Sequence, residues 1–322
     1  MSQAAISRSI SGKLLDLPLD DSLALIFPGQ GSQKVGMGRG LEAASEAARA
    51  VFAAADAALG YSLSTLCFEG PEEALTETAN TQPAILTASI AVLAAAMDTG
   101  VIAQRPLLLA GHSLGEYSAL VAAGSLDFES AVRLVRERGR LMKEAGRASP
   151  GTLAAVVGLD EATVEAICRE SGAEVANYNA PTQTVVGGAP EAVERACVLA
   201  RERGGRGLPV KVSGAFHTSL MQPARDAFAV YLADADIGDA VIPLVANVSS
   251  EQITTEAEVR LDLEQQVRRP VRWSQSIDVM AAAGITSLIE VGPGKILTSQ
   301  LKRSHPDLEV RALEEISVTA NV

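Results

Sequence analysis

Short apolar runs alternate along this chain with segments whose apolar residues recur every three or four positions. Leu23 to Phe27 reads as a buried strand, followed by a helix from about Leu41 to Leu59 that Gly60 closes and another from Pro83 to Met97. Leu107 to Ala110 is again a strand, and Asp127 to Ala145 a helix. Strands alternating with helices predict a parallel sheet covered by helices. Between residues 149 and 213 the rhythm changes to strand Leu153 to Val157, helix Glu161 to Glu170, strands Glu174 to Tyr178 and Thr184 to Val186, helix Pro190 to Arg203 and strand Gly207 to Val212. That order is the split βαβ, or ferredoxin-like, unit. The first pattern resumes with Val241 to Ala246, two helices, and Thr286 to Val291 running into Gly292-Pro-Gly-Lys295. The expectation is an α/β protein with a discontinuous large domain over residues 22–148 and 214–316. A small ferredoxin-like domain is inserted at 149–213, with a substrate cleft between the two. Residues 1–21, Ser-rich and lacking an apolar signal core, read as a flexible N-terminal extension, with a targeting role left open.

Composition narrows the function. Of 322 residues 48% are hydrophobic but only 3% aromatic, which suits close packing of small aliphatic side chains and offers no stacking platform for single-stranded nucleic acid. A formal net charge of -12 argues against a polyphosphate partner. Cys67, Cys168 and Cys197 lie far apart with no paired spacing, so neither a disulfide framework nor a metal site is expected, and a reducing, cytoplasmic compartment is the simplest reading. The longest apolar run, Ile85 to Met97, is broken by Thr87 and Ser89 and is too short for a bilayer, so it reads as a core helix rather than a membrane segment.

Against that background three features carry chemistry. Leu107 to Ala110 runs straight into Gly111-His-Ser-Leu-Gly115 and a helix-forming segment, the pattern of a nucleophile elbow. Glycines at 111 and 115 let strand and helix approach closely, and Ser113 is held out at the strand end, where unpaired N–H groups at the helix start meet a developing oxyanion. A serine nucleophile needs a base. Of three histidines, His112 adjoins Ser113 and points away, His305 sits in a charged stretch near the end, and His217, in Gly214-Ala-Phe-His217, falls where the chain returns from the small domain. The third feature is Arg138. The apolar stripe Ala131, Leu134, Val135, Leu141, Met142, Ala145 passes through that position, and an arginine on a buried face needs an anion or carbonyls to meet it. A structural ion pair and a bidentate clamp for a substrate carboxylate both satisfy that need. Phe27-Pro-Gly-Gln-Gly-Ser-Gln33 closes the first strand at the same sheet edge and matches neither phosphate-binding glycine pattern, so it reads as an oxyanion-hole loop.

Taken with Arg138-Gly139, Asn177-Tyr-Asn179 and Glu290-Val-Gly-Pro-Gly294, these motifs give the chain a close resemblance to the malonyl-CoA:acyl carrier protein transacylase family, the stand-alone acyltransferases of fatty acid synthesis, and to polyketide synthase acyltransferase domains. The likeness runs from about residue 22 to 312. It implies an α/β-hydrolase-like large domain and a dyad of Ser113 and His217, with the histidine oriented by the backbone carbonyl of Gln266. It implies an oxyanion hole from the N–H groups of Gln30 and Leu114, and substrate binding by Arg138, Met142 and Phe216. The implied reaction is ping-pong transfer of malonyl from malonyl-CoA to the phosphopantetheine thiol of holo acyl carrier protein, by a monomer needing no cofactor. Gly214 stands where polyketide domains usually carry His, which leaves the pathway open. Two rivals remain at this level: a serine hydrolase or thioesterase, and a non-catalytic scaffold that keeps the fold.

Overall fold

The structure is a computed structural model and describes residues 5–313; residues 1–4 and 314–316 of the expected ranges lie outside it. Ten strands follow in chain order: β1 Leu19–Phe27, β2 Arg105–Gly111, β3 Thr152–Val157, β4 Glu174–Ala180, β5 Gln183–Gly188, β6 Arg206–Val210, β7 Leu244–Val245, β8 Gln252–Ile253, β9 Ser287–Val291 and β10 Glu309–Leu313. They form a six-stranded sheet, β10-β9-β1-β2-β7-β8, and a four-stranded sheet, β4-β5-β3-β6. The large sheet is parallel except at β7 and β8. All pairs of the small sheet are antiparallel, and its strand order is that of a split βαβ unit.

Alternation along β1 shows why this sheet forms. Leu23, Leu25 and Phe27 enter one hydrophobic cluster, Ala24 and Ile26 the other, and all five are buried. A strand buried on both faces reads as a continuous apolar run, because helices cover each side. The helix Thr78–Asp98 lies within the larger cluster. It is long and apolar enough to cross a bilayer, yet 89% of its most apolar window is buried inside the protein. It starts one turn before Pro83, where proline had suggested the first turn.

Other departures have local causes. The single helix expected over Leu41 to Leu59 is two, Arg39–Ala44 and Glu46–Leu59, because Ser45 turns extended (φ -120°) and its hydroxyl accepts from the Ala48 N–H as an N-cap. The strand expected over Val241 to Ala246 shrinks to Leu244–Val245, since Pro243 has no N–H and contributes only its carbonyl to Leu109. The flexible extension expected for residues 1–21 is corrected over most of its length: Ala5–Asp16 is a helix whose Ile10 and Leu14 are buried, and β1 already begins at Leu19.

The two sheets are joined by main chain. Tyr178 N–H donates to the Val271 carbonyl (2.8 Å) and Val271 N–H to that of Ala176 (3.0 Å), so β4 continues onto the segment that follows helix Glu256–Gln266. Helices Glu161–Ser171 and Pro190–Glu202 pack on one face of the small sheet through their own cluster. On its other face Leu153, Ala176 and Val185 pack against Ala215, two residues before His217.

Candidate active site

The site begins where β2 ends. A side chain at Gly111 would bring Cβ within 1.9 Å of the Gly115 carbonyl carbon, and one at Gly115 within 2.1 Å of the Phe27 carbonyl oxygen, so only glycine allows this crossing. Ser113 between them sits at φ +51°, in the left-handed region. Such a backbone costs about 1–3 kcal/mol and persists only where its surroundings over-determine it. Asn247, just past β7, supplies that constraint: its Oδ1 accepts from the Ser113 N–H (2.7 Å) and its Nδ2 donates to the Gly111 carbonyl (2.7 Å).

His217, also at positive φ (+62°), places Nε2 2.8 Å from Ser113 Oγ. Its Nδ1 lies 2.7 Å from the Gln266 main-chain oxygen; a carbonyl only accepts, so Nδ1 carries the proton and Nε2 is left as the acceptor for the serine hydroxyl. Burial, and then the Arg138 charge, push the imidazole down to about 3 from its usual 6.5, which keeps it a neutral base.

Arg138 comes from the helix Phe128–Ala148, capped at its start by the Asp127 side chain. Gly139 allows this helix to close on the main chain at Thr78, where any Cβ would meet the Thr78 oxygen at 2.6 Å. Arg138 is 1% exposed. Nη1 donates to Gln82 Oε1 (2.8 Å) and Nη2 to Gln266 Oε1 (2.7 Å), with Ser113 Oγ 3.2 Å from Nη2. The Tyr117 ring centroid is 5.4 Å from its carbon. Among the described residues no carboxylate pairs with it and its Nε has no hydrogen-bond partner. Among the described residues the guanidinium is met by the amide oxygens of Gln82 and Gln266 rather than by a carboxylate, beside the Ser113 hydroxyl.

Ser113, His217, Arg138 and Gln266 are thus brought within direct hydrogen-bonding reach. The N–H groups of Gln30 and Leu114 donate to no protein acceptor among the described residues, and the Gln30 side chain reaches Thr78 Oγ1 (3.4 Å). Met142, one turn beyond Arg138, is buried and its sulfur accepts from Gln82 Nε2 (3.6 Å). Phe216 is buried beside His217 in sequence. His112 turns away as expected, its Nε2 2.9 Å from Asn179 Oδ1. Glu290, in Glu290-Val-Gly-Pro-Gly294, accepts from the N–H groups of Leu297 and Thr298 and so holds a helix start, a structural role. Sequence reasoning missed Gln82, Glu116 and Asn247. Gln82 in a mostly apolar helix that also carries Asn80, Thr81, Thr87 and Ser89, and Asn247 after a strand, were the available signals, both too common to single out.

Comparison with known proteins gives the family. The acyl transferase domain family matches residues 24–319. The chain is 44% identical over 299 residues to a malonyl CoA-acyl carrier protein transacylase of Bacillus subtilis (91% of this chain, 93% of that protein) and 44% identical over 302 residues to that of Escherichia coli (92% and 97%). Among solved structures, an acyl carrier protein S-malonyltransferase from Vibrio cholerae superposes with TM-score 0.89 at 41% identity (93% of this chain, 99% of that one). A type II polyketide acyl-carrier protein complex with its malonyl-transacylase gives 0.87 at 39% (94% and 100%).

Proposed function

The chain belongs to the acyl transferase domain family and is an acyltransferase, and from that premise we propose that it moves malonyl from malonyl-CoA to the phosphopantetheine thiol of acyl carrier protein, supplying extender units for fatty acid synthesis. The carrying observation is Arg138: a buried guanidinium with no carboxylate paired to it among the described residues, its Nη2 3.2 Å from the Ser113 hydroxyl. A malonyl thioester brings both groups this site lacks, a carbonyl for the serine and a free carboxylate for the arginine.

In the proposed reaction His217 Nε2 takes the Ser113 proton as Oγ attacks the thioester carbonyl. The oxyanion forms opposite the N–H groups of Gln30 and Leu114, donors of a kind worth on the order of 10²- to 10³-fold in turnover each. Coenzyme A leaves as thiolate and receives the proton from His217. The carrier thiol then passes its proton to His217 and attacks malonyl-Ser113, and the serine oxygen leaves with that proton returned from His217. Arg138 holds the malonate carboxylate through both halves, with Met142 and Phe216 as apolar walls. Three buried free cysteines support a cytoplasmic location, and the exposed Arg201 of helix Pro190–Glu202, Arg206 of β6 and Lys211 just beyond it are our choice for docking an acidic carrier to a monomeric enzyme.

Intact-protein mass spectrometry after brief mixing with malonyl-CoA tests the reading. A malonyl adduct on the native chain, absent from Ser113→Ala and discharged by holo carrier protein, is expected. An adduct that instead decays to free malonate without carrier would make the protein a thioesterase.

A further inference from the structure

Behind the reacting groups lies a second buried cluster that the mechanism above does not use. Glu116, in the first turn of helix Gly115–Ala122, is 1% exposed. One of its carboxyl oxygens, Oε1, accepts from the Asn247 N–H (3.0 Å); the other, Oε2, accepts from Gln266 Nε2. Asp262, on helix Glu256–Gln266 one turn before Gln266, lies against it, with Oδ1 accepting from the Val248 N–H (3.0 Å) and Oδ2 buried without a donor among the described residues. Burial first and the neighbouring carboxyl second push the Glu116 acid well above the usual range, and burial raises Asp262 as well.

The consequence falls on Gln266. Its Nε2 donates to Glu116 and to the Ser113 carbonyl (3.0 Å), leaving Oε1 to accept from Arg138 Nη2 (2.7 Å). Turned the other way, the amide would set its NH₂ against the guanidinium and its oxygen against Glu116, opposing like with like. The same residue's main chain anchors His217, and Asn247 holds the Ser113 turn. We propose that Glu116, backed by Asp262, is a positioning residue for acyl transfer, whose two oxygens fix the Gln266 amide and the Asn247 main chain and thereby set the Arg138 fork for its carboxylate. The proposal rests on the malonyl-transfer reading above.

Glu116→Gln tests it, because a glutamine keeps the shape but has one acceptor oxygen for two donors. Native and variant chains are labelled with malonyl-CoA and acetyl-CoA in competition, and the malonyl-to-acetyl adduct ratio on Ser113 is read by mass spectrometry, with near-ultraviolet circular dichroism as the folding control. The expected result is a ratio reduced about tenfold in the variant, the worth of one charge-assisted hydrogen bond. A merely structural role would lower both adducts together, so a folded variant with the native ratio overturns the positioning role while the native adduct still upholds acyl transfer. No adduct on the native chain would instead remove the underlying reading. Should Glu116→Gln not fold, Gln266→Met, which deletes the amide but keeps the carbonyl at His217, is expected to show the same loss of ratio; a retained ratio there would also overturn the proposal.

Discussion

The two sheets of this protein handle polar groups in opposite ways. At the carboxyl edge of the large parallel sheet, Ser113, His217, Arg138, Gln266, Glu116 and Asn247 form one buried hydrogen-bonded network, with two of its members at positive φ. The small sheet buries mainly aliphatic side chains under its two helices, and its charged residues stay at the surface. It meets the rest of the protein through main chain at Val271 and through side-chain bonds that include His112 to Asn179, Gln275 to Glu161 and the Ser219 N–H to Glu174. Strain and unpaired charge gather where chemistry is done, and a rigid apolar unit supplies a wall. If that division holds, damage to the large-sheet edge should remove chemistry or folding outright, whereas damage at the seam should only loosen the wall.

The largest effect should come from His217→Ala. Deleting the base that, among the described residues, alone reaches Ser113 is expected to slow malonylation by about 10⁴- to 10⁶-fold, as for members of other serine-base units, without loss of the folded state. Quench-flow mass spectrometry would check this, and a loss under a hundredfold would assign proton abstraction elsewhere. Next comes Gly111→Ala. With 1.9 Å to the Gly115 carbonyl carbon, the added methyl forces strand and helix apart, and we expect about 4 kcal/mol of lost stability by urea unfolding. A cost below 1 kcal/mol would mean the crossing is slack.

How far these features could be read from the chain differs between the same two regions. The small sheet was legible almost residue by residue, because its helices are amphipathic and its strands are bounded by turns. The elbow was legible because glycine at 111 and 115 leaves few alternatives, and Arg138 because a cation interrupts an apolar stripe. What stayed hidden depends on pairing over long sequence distance. Glu116 meets Gln266 across 150 positions and Asn247 meets Ser113 across 134, and neither partner has a local pattern to disturb. The identity of Gln266 came from family likeness alone, since a main-chain carbonyl leaves no trace in side-chain chemistry. The N-terminal helix was misread because Ile10 and Leu14 are too sparse among serines and charges to mark a stripe.

Two smaller effects sharpen the comparison at its selective and neutral ends. Arg138→Ala should lower the malonyl preference over acetyl by about 10- to 100-fold, the worth of roughly 1.5–3 kcal/mol for a charged hydrogen bond, while acetyl labelling of Ser113 persists. A variant that still selected malonyl would place the carboxylate against some other group. At the seam, Asn179→Ala removes the bond to His112 Nε2 and should cost only about 1 kcal/mol of stability, with Ser113 labelling within fivefold of native. A labelling defect as large as that of Arg138→Ala would make the small sheet part of the chemistry.

The smallest expected effect is the response of acylation to pH, and its sign follows from burial. His217 in the fold takes its proton only at about 3, below the usual 6.5, so the base stays neutral across the whole range from pH 8 to pH 5. The rate of Ser113 acylation should therefore show no acid limb with a midpoint near 6.5. Stability behaves differently, because the unfolded chain takes up the proton first as pH falls. This histidine's contribution begins to turn against the fold as pH drops through about 6.5, and the penalty stops growing below about 3. Acylation rates and urea midpoints measured over the same buffers separate the two. A limb near 6.5 in the rate would mean that water reaches the imidazole and that the network around Ser113 is no drier than the surface of the small sheet.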